Sequence, residues 1–177
     1  MHIRPETPAD HEAVAEVHRL AFGEGHGEVV ARLVTALRRD DPGATGFVAE
    51  VDGQVAGHVM FTRSLLDAPP RLVDVQVLSP LGVLPVHQRR GIGTALIRYG
   101  VTALEERGEP LIFLEGDPRY YSRHGFTAGV DHGFRRPSLR VPEPGFQVVK
   151  LPAYESWMTG TLVYLHTFWD HDCVGLR

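Results

Sequence analysis

The residues with the clearest chemical potential lie in one turn, Gln88-Arg89-Arg90-Gly91-Ile92-Gly93-Thr94, between an extended run ending in Leu81-Gly82-Val83-Leu84 and a helical pattern. Glycines at 91 and 93 remove side chains from the first turn of that helix. Several main-chain N–H groups can then converge on one anion where the helix dipole is also positive. Arg89 and Arg90 add cationic charge at the mouth, and an arginine there can pair with a phosphate. A pyrophosphate suits such a cradle. The plainer account is a pair of glycines that permits a tight turn and close helix packing, and spacing by itself does not decide between the two. Other nucleotide readings weaken: no Gly-Lys-Ser/Thr follows a four-residue gap, and Leu96 stands where a dinucleotide fingerprint has its third glycine.

Two other clusters invite chemistry and carry less. Among ten histidines, the group His166, Asp170, His171, Asp172 and Cys173 suggests metal binding, but no pair has the spacing of a zinc motif, so no metal is expected. Arg135-Arg136 and Arg140 form a local basic cluster that reads first as a solvated loop.

The elements that must position the turn are legible from periodicity. His2-Ile3-Arg4 reads as a short strand, and Thr7-Pro8-Ala9-Asp10 as a cap, a first-turn proline and an acidic capping partner. Val14, Val17 and Ala21, flanked by Ala13 and Leu20, repeat at helical spacing until Phe22 meets Gly23, Gly25 and Gly27. Val30, Leu33, Val34 and Leu37 give a second helix, ending in Arg38-Arg39. Phe47–Val51 and Gln54–Phe61 around Asp52-Gly53 predict a hairpin with a type I′ turn. A long extended stretch follows from about Leu72 to Leu84, interrupted at Ser79-Pro80. The spacing predicts a third helix over 91–107, with Ile92, Ala95, Leu96, Tyr99, Ala103 and Leu104 on one stripe. The continuous apolar run Leu111–Leu114, ending in Glu115, predicts a strand buried on both faces. Asp117-Pro118 opens a short helical turn, the stretch 129–145 reads as a loop with the makings of a flap, and Phe146–Leu151 returns as a strand. The tail from Pro152 holds both tryptophans, Trp157 and Trp169, and its aromatic content predicts an ordered extension.

Bulk properties bound the rest. A chain of 177 residues suits one domain, and 43% hydrophobic with 23% charged residues is ordinary for a protein that folds unaided. A net charge of -4 offers no general attraction for nucleic acid or anionic lipid, so neither is an expected partner. No run approaches the ~20 apolar residues of a membrane span. A single cysteine and the absence of an apolar leader lead to the expectation of a cytoplasmic protein.

The segment Leu81 to Ala95 resembles the acyl-CoA-binding motif of the GNAT acetyltransferase superfamily, Gln/Arg-x-x-Gly-x-Gly/Ala, which Gln88 to Gly93 matches in full. The hairpin before it, the strand Leu111–Glu115 after it, and Tyr121-Ser122-Arg123-His124-Gly125-Phe126, which resembles the family's Tyr-x-x-x-Gly-Phe, follow in the expected order. The resemblance covers residues 1–151, which define the expected domain; 152–177 would be an extension packed on it or at an oligomer interface, as in a homodimer. It implies an α/β fold with a mixed, mostly antiparallel sheet, flanked by helices and splayed beside the kinked strand, where acetyl-CoA would lie as co-substrate. Backbone groups of Leu81, Gly82 and Val83 would hold the pantetheine and acetyl ends, and the amides of Arg89, Arg90, Gly91, Ile92, Gly93 and Thr94 the pyrophosphate. Beside the solvated-loop reading, the basic cluster Arg135-Arg136 and Arg140 is a candidate to meet an acidic acceptor or the coenzyme's 3′-phosphate.

The implied reaction is direct attack of an amine on the thioester in a ternary complex. The N–H of Val83 is the expected oxyanion donor. The departing thiolate belongs to a thiol with a pKa near the cysteine value of about 8.5, so a tyrosine suits as its proton donor, and Tyr121 occupies the family's position. The sequence departs from the family in the short Gly116-Asp117-Pro118 link before that tyrosine. For the general base, Glu115 would face the cleft in one of its two possible registers, and a slip of one reverses that; its plainer role is a strand-end carboxylate capping the next turn, and a water chain to Asp117 or His58 would serve equally. Glu28 is either near the acceptor or a solvated helix-start residue. A noncatalytic acyl-CoA sensor would keep the cradle without needing a hydroxyl at Tyr121. The acceptor stays open among small amines and protein amines.

Overall fold

The computed structural model describes residues 1–175, in two compact units each made from two stretches of chain: residues 1–62 with 79–100, and residues 63–78 with the chain from Val101 onward.

In the first unit, strand β1 (His2–Pro5) runs antiparallel to β2 (Thr45–Val51), with Ile3 opposite Ala49, and β2 runs antiparallel to β3 (Gln54–Asp67), with Phe47 opposite Val59. Asp52 and Gly53 have φ of 51° and 79°, the two positive values that a type I′ hairpin turn requires. The next neighbour of β3 is β4 (Leu72–Val83), and the Leu84 N–H donates to the Ala56 carbonyl at 2.9 Å. Helices α1 (His11–Phe22) and α2 (His26–Asp40) and the start of α3 (Ile92–Glu106) complete the unit.

The expected capping pair is present, ahead of a short 3₁₀ turn over Pro8–Asp10. The Thr7 N–H and hydroxyl each donate to Asp10 Oδ2 at 2.8 Å, and Arg4 holds both carboxylate oxygens of Asp10 while reaching Glu50. Helix α2 buries Val30, Leu33, Val34 and Leu37 as its periodicity predicts. Helix α1 differs: it buries Val14, Val17 and His18, while Ala13 and Leu20 are exposed. On α3, Ile97 is buried and Tyr99 is exposed, its ring edge-on to Phe47 at 5.1 Å.

In the second unit, Gln76 and Val77 of β4 pair in parallel with Ile112 and Phe113 of β5 (Leu111–Glu115), whose residues 111–114 are fully buried. Antiparallel to β5 runs β8 (Phe146–Lys150), which also pairs with β6 (Thr127–Ala128). Leu65–Asp67 of β3 pair with β9 (Gly160–Val163), and β9 lies parallel to β7 (Phe134–Arg135). Phe113 stacks on Phe146 at 5.6 Å and meets Phe134 edge-on at 5.1 Å. The segment 129–145 is anchored: Phe134 and Val141 are buried, and Arg136 donates to the Val141 carbonyl at 2.7 Å and pairs with Glu143. A short helix α4 (Pro118–Tyr121) follows β5, and a second, α5 (His166–Asp170), lies within the tail. Tyr164 and Phe168 are buried, Arg71 lies over Trp157, and Arg140 pairs with Asp172 and lies over Trp169.

The architecture is thus α/β, with helices flanking strands that pair antiparallel in most ladders. Among the described residues no helix is long and apolar enough to cross a membrane.

Candidate active site

The first unit carries the glycine turn. Arg89 and Gly91 have φ of 61° and 84°, and this left-handed pair swings the chain from β4 into α3. The Gly91 carbonyl accepts the Ala95 N–H at 3.0 Å, the first bond of the helix. Among the described residues, none of the six amides from Arg89 to Thr94 donates to a backbone carbonyl. An unpaired helix start is normally satisfied by a side-chain cap, water or a ligand. Here the space a Cβ on Gly91 would occupy is open to at least 4 Å, and Arg89 and Arg90 are exposed beside it.

Leu81, Gly82 and Val83 lead into this turn at the end of β4. Because Leu84 donates to Ala56 on β3, the two-residue strand period turns the N–H and C=O of Val83 to the opposite edge. There the Val83 carbonyl accepts from Gln88 Nε2 at 3.1 Å, so the first motif residue ties the turn back to the strand.

Gly82 is buried, and a Cβ at this position would come within 2.8 Å of His18 Nδ1. His18 begins a buried polar chain in this unit. Its Nε2 lies 2.8 Å from His58 Nδ1, His58 Nε2 lies 3.5 Å from Glu6 Oε2, and Arg38 forms an ion pair with Glu6. Both histidines have zero exposure. Burial, reinforced by the charges of His58 and Arg38, pushes His18 well below the ordinary histidine range. Burial also lowers His58, against the opposing pull of Glu6. Burial alone would raise Glu6, but His58 and Arg38 outweigh it and hold the carboxyl below its usual value. The apolar reading of α1 missed His18, although a histidine next to Val17 and four residues after Val14 falls on the buried stripe. Glu28, by contrast, is exposed and paired with Arg19 at 2.7 Å.

The second unit holds Glu115 and Tyr121. Glu115 accepts from the Tyr164 hydroxyl at 2.7 Å and from the Gly175 N–H at 2.9 Å, one donor for each oxygen, and burial pushes its pKa up. Tyr121 sits in α4, where Asp117 accepts the Arg119 N–H at 2.9 Å and starts the helical turn. Its ring covers Gly116, leaving no room for a side chain there, and meets Tyr120 and Phe126 edge-on. Burial, together with the neighbouring Tyr120, raises the Tyr121 phenol, which therefore stays protonated at neutral pH. Among the described residues no group of three His, Cys, Asp or Glu could hold a metal ion.

Comparison with known proteins supplies the family. Residues 2–129 match the acetyltransferase (GNAT) domain model. An uncharacterized N-acetyltransferase of Escherichia coli, YjhQ, is 35% identical over 138 residues, covering 76% of this chain and 74% of its own. The crystal structure of the GNAT family N-acetyltransferase YhbS from Escherichia coli in complex with CoA superposes with a TM-score of 0.83 at 31% identity, covering 94% of this chain and 91% of that one. A GNAT family acetyltransferase from Brucella melitensis in complex with acetyl-CoA gives a TM-score of 0.75 at 32% identity, covering 94% of this chain and 97% of its own. With that match across most of its length, and with the glycine turn opening α3 at the end of β4, the chain belongs to the GNAT acetyltransferase family.

Proposed function

We propose that the protein transfers the acetyl group of acetyl-CoA to an amine acceptor by direct attack in a ternary complex. The observation that carries this reading is the run of six amides, Arg89 to Thr94, without backbone acceptors at the start of α3, inside a complete Gln-x-x-Gly-x-Gly motif. Such a run fits a diphosphate: the amides have no backbone acceptor, the Gly91 side is open, and two exposed arginines flank it. Two solved relatives bind CoA or acetyl-CoA, which supports the same ligand here.

In this reading the amides of 89–94 hold the diphosphate and the backbone of Leu81–Val83 holds the pantetheine and acetyl ends. Acetyl-CoA supplies an activated acyl carbon. The Val83 N–H stabilises the oxyanion, since it is fixed in the strand before reaction. Tyr121, assigned by its place in Tyr-x-x-x-Gly-Phe, protonates the departing thiolate. Each oxygen of Glu115 already accepts one donor, from Tyr164 and from Gly175, and these bonds favour a role in holding the tail. Residues 2–129 carry the family match, and the tail, through β9, is proposed as a structural completion of residues 63–67.

The test is titration calorimetry with acetyl-CoA, paired with thiol release over a panel of small amines and peptide N-termini. Wild type is expected to bind and to turn over at least one amine. Gly91→Val places a β-branched residue at φ 84°, a conformation that costs about 1–3 kcal/mol, and is expected to weaken coenzyme binding about tenfold or more. No heat with wild type would remove the cradle, and tight binding without turnover on any amine would replace the enzyme with a sensor.

A further inference from the structure

We infer that Glu6, His58 and His18 form a buried proton relay whose unpartnered end, Nδ1 of His18 beside Gly82, receives the proton that the amine loses during acetyl transfer. The inference rests on the acetyl-transfer reading above and assigns the base which that reading leaves vacant.

The relay follows from the order of its nitrogens. Glu6 is held as a carboxylate by Arg38 and can only accept; His58 Nε2 faces it at 3.5 Å without a hydrogen bond, and the negative charge there favours the tautomer with the hydrogen on that nitrogen. His58 Nδ1 is then a bare acceptor. The 2.8 Å contact between the rings therefore requires the hydrogen on His18 Nε2, and His18 Nδ1 is left with an unshared pair. The reverse arrangement would set a bare His58 nitrogen against a carboxylate. His18 Nδ1 is fully buried and has no hydrogen-bond partner. A buried polar atom without a partner costs free energy that an apolar residue on the same helical stripe would avoid. The fold keeps that unshared pair 2.8 Å from where a Gly82 Cβ would stand, against the strand assigned to the acetyl end.

The step balances without a further reagent. The amine nitrogen bonds to the acyl carbon, the carbon–sulfur bond breaks, and the thiolate takes the proton of Tyr121. The proton on nitrogen passes to His18 Nδ1, directly or through one water. The His18 Nε2 proton shifts to His58 Nδ1, and the imidazolium so formed on His58 lies against Glu6. Solvent returns one proton from the relay to the Tyr121 phenolate. The charged and titratable groups facing the relay are Glu6 after β1, Arg38 on α2 and His11 at the start of α1. Arg38 and His11 disfavour the imidazolium and Glu6 favours it. His58 and Glu6 are thus positioning residues, and His18 is the proton acceptor.

The experiment measures kcat against pH at saturating acetyl-CoA and amine, and coenzyme affinity by calorimetry, for wild type, His18→Asn, His58→Asn and Glu6→Gln. Nitrogen-15 NMR of the wild-type imidazoles reads the tautomers directly. His18→Asn is expected to lower kcat by about 10²–10⁴-fold, abolish the acidic limb of the profile and leave coenzyme affinity unchanged. Glu6→Gln removes the carboxylate that favours the imidazolium, so its acidic limb moves to lower pH while kcat falls less. Wild-type kcat and profile in His18→Asn, or a protonated Nδ1 on His18, would overturn the relay and leave the acetyl-transfer reading intact. Should His18→Asn fail to fold, Glu6→Gln and the wild-type tautomers decide. A wild type that neither binds acetyl-CoA nor acetylates any amine would instead sink the reading beneath it.

Discussion

Gly82 is buried near the end of β4, outside the left-handed region, so alanine there would suffer no backbone strain. What it would meet is His18: its Cβ would stand 2.8 Å from Nδ1, 3.1 Å from Cε1 and 3.4 Å from Val17 Cγ1. The first distance is below any real Cβ contact. The ring has little freedom to retreat, because Nε2 is tied to His58 at 2.8 Å and the ring lies 5.9 Å from that of Phe22. Inserting one methyl into such a packed site costs about 1–3 kcal/mol. At about 2–4 °C per kcal/mol for a chain of this size, the melting temperature should fall by roughly 2–12 °C. The assay is a double-mutant cycle by urea denaturation and calorimetry. Gly82→Ala should cost its full amount in wild type but within about 0.5 kcal/mol of nothing in a His18→Ala background, where the methyl enters space the ring has left. A single variant as stable as wild type, or an equal cost in both backgrounds, would refute the packing of His18 against Gly82.

Tyr121→Phe should lower turnover by about 10²–10⁴-fold with little change in coenzyme affinity, measured by thiol release and calorimetry; unchanged turnover would remove it as the acid. Tyr164→Phe strips one donor from half-buried Glu115 and should destabilise by about 1.5–3 kcal/mol at neutral pH. Burial already raises that carboxyl, so the variant's deficit should shrink as pH falls and Glu115 takes a proton, which urea melts at two pH values would read. Asp10 has the opposite sign: Arg4, outweighing burial and aided by Thr7, holds its carboxyl well below the carboxylate range. Its contribution is present above the unfolded value near 4 and is lost as pH falls below it. Asp10→Asn should therefore cost about 1.5–3 kcal/mol at pH 7 and flatten the acid side of the stability profile.

Much of the fold was readable because it follows local rules. The Asp52-Gly53 turn, the apolar stripe of α2, the Thr7–Asp10 cap and the buried run of β5 each depend on residues close in sequence. Reading failed where a long-range contact overrides the pattern. Tyr99 sits on the apolar stripe of α3 yet lies at the surface, since its ring needs only an edge against Phe47, and Ile97 is buried instead. The loop 129–145 looked free because its ties, Phe134 on β9 and Arg136 on the Val141 carbonyl, involve no sequence periodicity. The glycine turn was the best-marked part of the candidate site, as its geometry is written in adjacent residues. His18 was missed because a search for apolar spacing passes over a polar residue, and its partners come from β3, α2 and the segment after β1.

Two half-buried carboxylates show why partners, more than burial, decide what such a group can do. Desolvation raises both Glu6 and Glu115. Glu115 is met by neutral donors, a phenol and an amide, which satisfy its oxygens without repaying the full cost of a buried charge, and its pKa stays high. Glu6 is met by the guanidinium of Arg38 and by His58, and its pKa falls below the ordinary value. A carboxyl that takes up a proton readily cannot dictate a neighbour's tautomer, because it can turn donor. One that stays ionised favours an N–H on the ring that faces it, and that preference passes through His58 to His18 and ends as an unshared pair beside Gly82. The base in this protein is therefore to be sought where a permanent charge orders a chain of neutral rings, in the unit that also carries the glycine turn.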